Sequence, residues 1–404
     1  MARFAAAIST HGSAPTAVGE VVAQIAERLD GRPTLAVLFI TEAHVRQAED
    51  IAATVQTLLE PDALIGSSAV AVLANGQGAE SVPAVSLWAG RLDGEVTPLA
   101  LQVRQGTEGL EVRGFDHEAA VTARSALLIP DPFTFPASEF LGRLGQVHPR
   151  LVVLGGFASA GRQAGDNRLI LNGTVRTSGA VGVLLDADIS PDAVVSQGCR
   201  PIGQPFVVTK ARGNLILQLG GRPALEVIQD MVSDLPEQDQ ARLHNSLLIG
   251  RVVNEYKDRF GRSDFLIRNI IGVDKDLKAI AVTDIVRPGI TVQLQLRDAQ
   301  TATEDLLMLL DAQQLHARPL GALLFTCNGR GTRLFPTPNH DAARIITAFA
   351  GARPGEEAAK AGEVIGFRPG MLPLAGFFAA GEIGPVGEES HLHGQTACAV
   401  LFRA

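Results

Sequence analysis

The sequence predicts a mixed α/β (α+β) protein. It reads as two related lobes of mixed β-sheets flanked by helices, built from duplicated strand–helix–strand–strand units, with a ligand cleft between or beside the lobes. Three observations predict it. Short apolar runs alternate with segments of helical spacing along the whole chain. A glycine recurs in the second strand of each unit, at Gly66, Gly155 and Gly376. The middle of the chain instead holds strands of strict two-residue alternation.

In chain order, Val18, Val21, Val22, Ile25 and Leu29 place an amphipathic helix over 15–30. Leu35–Ile40 is a buried strand. Thr41 is the expected cap of a helix carrying Val45, Ala48, Ile51, Val55 and Leu58. Ala63–Gly66 is a strand ending in the small-residue turn Gly66-Ser67-Ser68, and Val85–Ala89 is another strand. The order recurs as strand Ser125–Ile129, helix 137–148, strand Leu151–Leu154 into Gly155-Gly156, and strand Gly179–Leu185. It recurs again as strand Gly321–Phe325, helix 341–350, strand Pro373–Phe378 and the last strand Thr396–Phe402. A polar loop lengthens this third copy. Three similar units point to internal duplication.

Between them, Phe206–Thr209 and Leu215–Leu219 read as a hairpin, and Pro223 opens a helix through Met231. Ser246–Val253, Phe265–Ile271, Ala279–Thr283 and Thr291–Leu296 read as a four-stranded antiparallel run, with helix 299–314 after it. A lobe boundary falls near 205–222, giving domains 1–215 and 216–404.

Composition excludes several classes. The 404 residues are 46% hydrophobic and 19% charged, enough to bury a large core. A net charge of −8, one Trp and one Tyr argue against a nucleic-acid partner. No run approaches the length of a membrane span, and the N-terminal apolar run is too short for a signal peptide. Cys199, Cys327 and Cys398 form no C-x-x-C pair. The expectation is a cytoplasmic protein with no membrane or nucleic-acid partner. Phosphate-loop, dinucleotide-fold, serine-hydrolase-elbow and H-E-x-x-H motifs are absent.

Four constellations remain. Cys327-Asn328-Gly329-Arg330-Gly331 leaves a buried strand. Glycines on either side of Arg330 would bring the guanidinium and backbone N–H groups to one spot, suited to a carboxylate or phosphate. The same residues also fit a strand-exit turn with a solvated arginine. Gly376 through Gly381-Glu382 forms a second glycine-shaped turn, whose Glu382 would hold a ligand ammonium or pair with Arg330. Arg268 inside an apolar strand needs a partner, Asp298 or Asp274, and Asp298 also stands where a helix cap belongs. His391 and His393 share a strand face as weak metal candidates, and they also fit loop histidines before the last strand. Ser67 and Ser68 would donate hydrogen bonds into the cleft.

At these residues the chain resembles the FIST family over nearly its whole length. The N-terminal part carries Leu64-Ile-Gly-Ser-Ser68 and Gly155-Gly156. The C-terminal part carries Phe265-Leu-Ile-Arg-Asn-Ile-Ile-Gly-Val-Asp274, Gln295-Leu-Arg-Asp-Ala299, Cys327-Asn-Gly-Arg-Gly331 and Leu374-Ala-Gly-Phe-Phe-Ala-Ala-Gly-Glu-Ile-Gly384, then His393 and Thr396. The resemblance implies a FIST N-terminal domain at 1–215 and a FIST C-terminal domain at 216–404, in a stand-alone bacterial member. It implies a sensor of small ligands, with amino acids suggested. Relatives are joined to histidine kinase, diguanylate cyclase or chemoreceptor modules, or follow an F-box; some bind haem and respond to nitric oxide. No output domain is expected in this chain, and so a signalling partner in trans is expected. The family often has Gly-Cys-Ser-Thr where Ser67-Ser68-Ala69-Val70 follows Gly66 here, which suggests a different ligand.

The leading expectation is therefore a non-enzymatic small-molecule sensor. Arg330 and the Gly329/Gly331 backbone would hold an anionic group, Glu382 a cationic one, and Asn328 further hydrogen bonds, so that a zwitterion satisfies both charges. No cofactor is expected. Two alternatives stay open: an enzyme using Cys327 or Ser67, and a haem protein using His393 or His44.

Overall fold

The computed structural model describes residues 3–106, 109–242, 247–257, 259–350 and 370–403. Ser246, expected to open a strand, and residues 351–369 of the polar loop before Pro373 lie outside them. The protein is mixed α/β, with several mixed sheets and flanking helices. The chain forms two compact units. One comprises residues 1–196, 306–392 and 396–404; the other comprises 197–305 and 393–395. These differ from a single cut near 215, because strands from both ends of the sequence share sheets in the first unit.

The elements of the first copy are β1 (Phe4–Ser9), α1 (Ala14–Arg28), β2 (Leu35–Thr41), α2 (Ala48–Leu59), β3 (Ala63–Ala69), β4 (Ala71–Ala74), β5 (Gln77–Glu80) and β6 (Val85–Gly90). The second copy has β7 (Val96–Gly106), β8 (Gly109–Arg113), α3 (Ala119–Thr122), β9 (Ala123–Pro130), α4 (Ala137–Val147), β10 (Val152–Gly156), β11 (Leu169–Leu171), β12 (Thr174–Arg176) and β13 (Ala180–Asp186). The third copy opens with β14 (Asp192–Gln197). Into it are inserted β15 (Cys199–Arg212), β16 (Leu215–Leu219), β17 (Arg222–Pro223), α5 (Ala224–Ser233), α6 (Glu237–Arg242), β18 (Leu247–Val252), β19 (Phe265–Asp274), β20 (Ala279–Val282) and β21 (Thr291–Arg297). It resumes with α7 (Ala299–Gln313), β22 (Gly321–Cys327), α8 (His340–Ala348), β23 (Leu374–Ala379), β24 (Glu382–Val386), β25 (Glu389–His393) and β26 (Thr396–Phe402).

The duplication expected from the glycines is a triplication, and all three copies build the first unit. Its sheets run β1-β6-β2-β3-β11-β12, β25-β24-β10-β9-β13-β7-β8 and β14-β26-β22-β23-β4-β5. Each has a central parallel pair: β2 with β3, β9 with β10, β22 with β23. Each also borrows a hairpin from another copy. The hairpin β4–β5 of copy one pairs with β23 of copy three; β11–β12 of copy two pairs with β3 of copy one; β24–β25 of copy three lies beside β10 of copy two. The exchange is cyclic and ties the three copies into one body.

Two-residue alternation explains the packing. Leu35, Val37 and Phe39 of β2, Leu127 and Ile129 of β9, and Leu323 and Phe325 of β22 meet in one shared core. The alternate residues face helices: Ala36, Leu38 and Ile40 pack under α1 and α2, Ala126 and Leu128 under α4, and Ala322 and Leu324 under α7 and α8. The three recurring glycines do the same job in each copy. A Cβ on Gly66, Gly155 or Gly376 would sit 1.9, 2.0 or 1.8 Å from the carbonyl oxygen of Leu38, Leu128 or Leu324 on the parallel neighbour. The segments that follow the three glycines then meet at Ser159. Its hydroxyl donates to Phe378 O (2.5 Å) and accepts from Val70 N–H (3.0 Å), while its own N–H donates to Ser68 O (3.2 Å).

Two local expectations are corrected. Ser67 and Ser68 are not in a turn: β3 continues to Ala69 because β11 lies alongside it, with Leu169 opposite Ser67. Thr41 does not cap a helix through its side chain, since residues 42–47 form a 3-10 turn before α2 and the Thr41 hydroxyl accepts from Ala84 N–H at 2.8 Å.

The second unit is one antiparallel sheet, β15-β21-β18-β19-β20-β16-β17, and an added β15–β16 pairing closes it on itself. The expected hairpin and four-stranded run are both present. Its core gathers Ile202, Val208, Ile249, Ile280, Val292 and Leu294 against Val227 and Ile228 of α5.

Candidate functional site

The C-terminal ends of the parallel strands carry buried polar groups in every copy of the first unit. In open α/β sheets such strand ends are where ligands bind. At the end of β2 stands Thr41 and just beyond it His44, both buried. After β9 stands Asp131, which accepts from Thr134 Oγ1 (2.7 Å) and Asn167 Nδ2 (2.8 Å). After β22 stands the turn through Gly331, and among the described residues only there does the buried group form a full ion pair.

Arg330 is 0% exposed. Its Nε donates to Asp341 Oδ2 at 2.7 Å and its Nη2 to Asp341 Oδ1 at 2.8 Å, a two-pronged pairing. Thr326 Oγ1 donates to the same carboxylate at 2.8 Å, and His340 Nδ1 lies 3.1 Å from it. The guanidinium carbon is 5.2 Å from the Phe335 ring centre, and Phe335 stacks on His340 at 3.6 Å. Burial alone would push the Asp341 carboxyl up; the Arg330 charge and hydrogen bonds, helped by His340, override it and hold it well below the usual range. Burial likewise works against the Arg330 charge, and Asp341 more than compensates.

Glu382 reaches the same place from β24, whose register sets it opposite Gly156 of β10. It too is 0% exposed. Its Oε2 accepts from Thr396 N–H (3.1 Å) and Thr396 Oγ1 (2.6 Å), while Oε1 is buried with no nitrogen or oxygen partner among the described residues. Burial pushes its carboxyl up to about 8, against the opposing pull of the Thr396 hydrogen bonds, the Arg330 charge and the Cys327 thiol. Burial and the Glu382 charge push the neighbouring Cys398 thiol up to about 12. Cys327 Sγ accepts from Gly329 N–H at 3.5 Å, and Asn328 N–H donates to Ala379 O at 2.8 Å, clipping this turn to the end of β23.

The two glycine-shaped turns therefore converge. The expected ionic partner of Arg330 is corrected: it is Asp341, in the first turn of α8, because the helix that follows a parallel strand starts above that strand's end. Beside the pair lies a small cavity of about 10 Å3, walled by Thr326, Gly331, Asn339, His340, Asp341 and Phe378. That is room for about one water.

The remaining candidates lie elsewhere. Gly376 is inside β23, facing Leu324 of β22. Ser67 Oγ is buried without a hydrogen-bond partner among the described residues, and Ser68 Oγ accepts from Arg168 N–H at 2.9 Å. Arg268, in the second unit, pairs with Asp284 (3.0 Å) instead of Asp298 or Asp274. The hairpin register sets Ile270 opposite Val282, so Asp284 falls opposite Arg268. Asp298 caps α7, its Oδ1 accepting from Thr301 N–H at 2.8 Å. His391 is partly exposed, with Nε2 3.7 Å from Glu389 Oε2, and His393 is buried. Among the described residues, no group of three or more His, Cys, Asp or Glu could hold a metal ion. None of their helices is long and apolar enough to cross a membrane.

The raised Glu382 carboxyl has a measurable consequence. Its folded value of about 8 lies above the unfolded 4.5, so its contribution is fully present below pH 4.5 and is lost as pH rises through about 8. Glu382→Gln removes that loss while keeping an acceptor for Thr396. Urea melts should show the variant and the parent alike near pH 4.5 and the variant ahead by roughly 2–4 kcal/mol at pH 8.5.

Fold and site together define a triplicated α/β protein with one charged strand-end cluster buried in its third copy. The chain belongs to the FIST family: the FIST N domain profile matches residues 34–222 and the FIST C domain profile residues 224–385. It is 40% identical over 404 residues to the uncharacterized protein Rv0628c of Mycobacterium tuberculosis, covering 99% of each chain. It is 40% identical over 405 residues to the uncharacterized protein Mb0898c of Mycobacterium bovis, covering 99% of this chain and 98% of that protein. FIST domains are generally described as sensory domains in signal transduction.

Proposed function

We propose that this FIST protein senses a small zwitterion or carboxylate, with amino acids the first candidates, at the Arg330 turn, and passes the event to a signalling protein in trans. The observation that carries this reading is the buried Arg330–Asp341 pair beside a Glu382 oxygen with no nitrogen or oxygen hydrogen-bond partner among the described residues. Two apolar side chains would fill that volume at less cost, and buried groups with displaced titration cluster at functional sites.

The two charges suit an exchange of partners. A ligand carboxylate that takes over Arg330 frees Asp341 for the ligand ammonium, so no charge is left unpaired. A ligand larger than water fits only if the segment from Gly331 to Asn339 moves, and that movement is what a partner protein would read.

The test is a thermal-shift screen of amino acids and small carboxylates on the parent and on His340→Phe, which keeps the Phe335 stack but removes Nδ1 from Asp341. At ligand near 100-fold over Kd, a shift of about 5 °C is expected for the parent, and a much smaller one for the variant. Equal shifts would remove this cavity from the role.

A further inference from the structure

The second unit holds a charge cluster of its own, on the inner face of its closed sheet. Ile249 of β18 and Val292 and Leu294 of β21 belong to the core on that face. Side chains two apart on a strand share a face, and so do residues opposite each other across an antiparallel pair. Arg251 lies two positions beyond Ile249, and Arg268 of β19 lies opposite Ile249. Both arginines therefore start from the inner face. Arg251 stands opposite Leu266 on one side and Val292 on the other, both buried, so its stem is flanked by apolar side chains.

One carboxylate serves both guanidiniums. Asp284 accepts from Arg268 Nε at 3.0 Å, and Arg268 Nη1 donates to Ile267 O at 2.9 Å. Arg251 meets the same carboxylate only through Nε, at 3.4 Å and without a hydrogen bond. Its two Nη nitrogens have no hydrogen-bond partner among the described residues. They are not buried, and the side chain is 33% exposed. Glu255, the next acid along the chain, accepts from Thr291 N–H at 2.7 Å and forms no ion pair with Arg251. Burial works against the Arg268 charge, Asp284 supports it and the Arg251 charge opposes it again, and the net direction is downward. Two cations thus stand close enough to repel, while the carboxylate between them is committed to the inner one.

We infer that Arg251 and Arg268 form an oxyanion site in the second unit, with a carboxylate or phosphate group on the open Nη edge of Arg251 and the Arg268 charge behind it. A planar guanidinium presents two parallel N–H bonds to such a group, a match that neither a cation nor a neutral ligand offers. The bound anion offsets the repulsion that Asp284 leaves.

Isothermal titration with inorganic phosphate and with acetate, at ionic strength fixed with sodium chloride, tests this. Saturable binding of at least one of them in the millimolar range or tighter is expected. Binding of phosphate alone assigns a phosphate group, of acetate alone a carboxylate group, and of both an oxyanion site that selects charge and planarity of contact only. Arg251→Gln should weaken the binding about tenfold or more. Arg251→Met, which keeps the apolar stem between Leu266 and Val292, should do the same and decides the matter should Arg251→Gln not fold. His340→Phe should leave this binding unchanged, which separates it from events at the Arg330 turn. Absence of saturable binding by both anions, or an affinity that loss of the Arg251 guanidinium does not alter, would overturn the proposal.

Discussion

Asp341→Asn is expected to lower stability by about 3–5 kcal/mol, the largest single effect of any polar substitution in the first unit. The variant keeps size and shape. It removes the charge that a fully buried Arg330 needs and leaves the guanidinium's desolvation uncompensated. The Thr326 hydroxyl and His340 Nδ1 lose their ionised acceptor at the same time. Equilibrium urea denaturation at pH 7 reads the loss directly. The pH dependence has a definite sign. The Asp341 carboxyl is held below its ordinary value, so its contribution is present above the ordinary carboxylate range and disappears only in strong acid. In the variant that acid-sensitive share should vanish. The double replacement Arg330→Met with Asp341→Leu should recover most of the stability, because an apolar pair needs no partner. It should also abolish any ligand-induced thermal shift. A double variant that stays responsive would separate the ion pair from sensing.

Gly376→Ala is the second large effect. A Cβ there would lie 1.8 Å from the Leu324 carbonyl oxygen, a backbone atom that no rotamer change can move. The parallel pair β22–β23 would have to spread by more than an ångström, and β23 sits between β22 and β4. A loss of about 3 kcal/mol or more is expected. Gly66→Ala and Gly155→Ala should behave alike, since their clashes are 1.9 and 2.0 Å with Leu38 O and Leu128 O. Gly142, exposed on α4 with nothing near its Cβ direction, is the control. Gly142→Ala should stabilise by about 0.5–1 kcal/mol. The contrast in urea midpoints between these substitutions tests whether close strand approach, rather than helix or turn propensity, fixed the glycines.

Those glycines were also the most legible feature of the fold. Short apolar runs in β2, β9 and β22 and the glycine in each following strand give the three copies from sequence, because a parallel strand buried on both faces is apolar almost throughout. The cyclic exchange of hairpins was not legible. Whether β4 pairs with its own copy or with β23 is a long-range choice, and the residues of β4 suit either. The same limit explains Ser67 and Ser68: small polar residues read as a turn until β11, a hundred residues on, is seen to extend the sheet beside them.

The site divides similarly. Two glycine-shaped turns around Arg330 and Glu382 suggested convergence, and they converge. The carboxylate that holds Arg330 was missed because Asp341 lies eleven positions on, beyond a turn. The available signal was an acid in the first turn of the helix after the strand, a place set by the strand–helix crossover. Asp284 was missed for want of a hairpin register: counting outward from the β19–β20 turn sets Ile285 opposite Arg268, and only the bulge between Ile270 and Gly272 shifts the pairing by one and brings Asp284 there.

The most direct measurement of the sensing account is amide hydrogen exchange over residues 326–342, with and without the small molecule that gives the largest thermal shift. The account predicts that ligand changes protection in this segment first, at Gly331 to Asn339, and that His340→Phe suppresses the change. Saturating ligand that alters protection elsewhere, while 326–342 exchange as before, would contradict it.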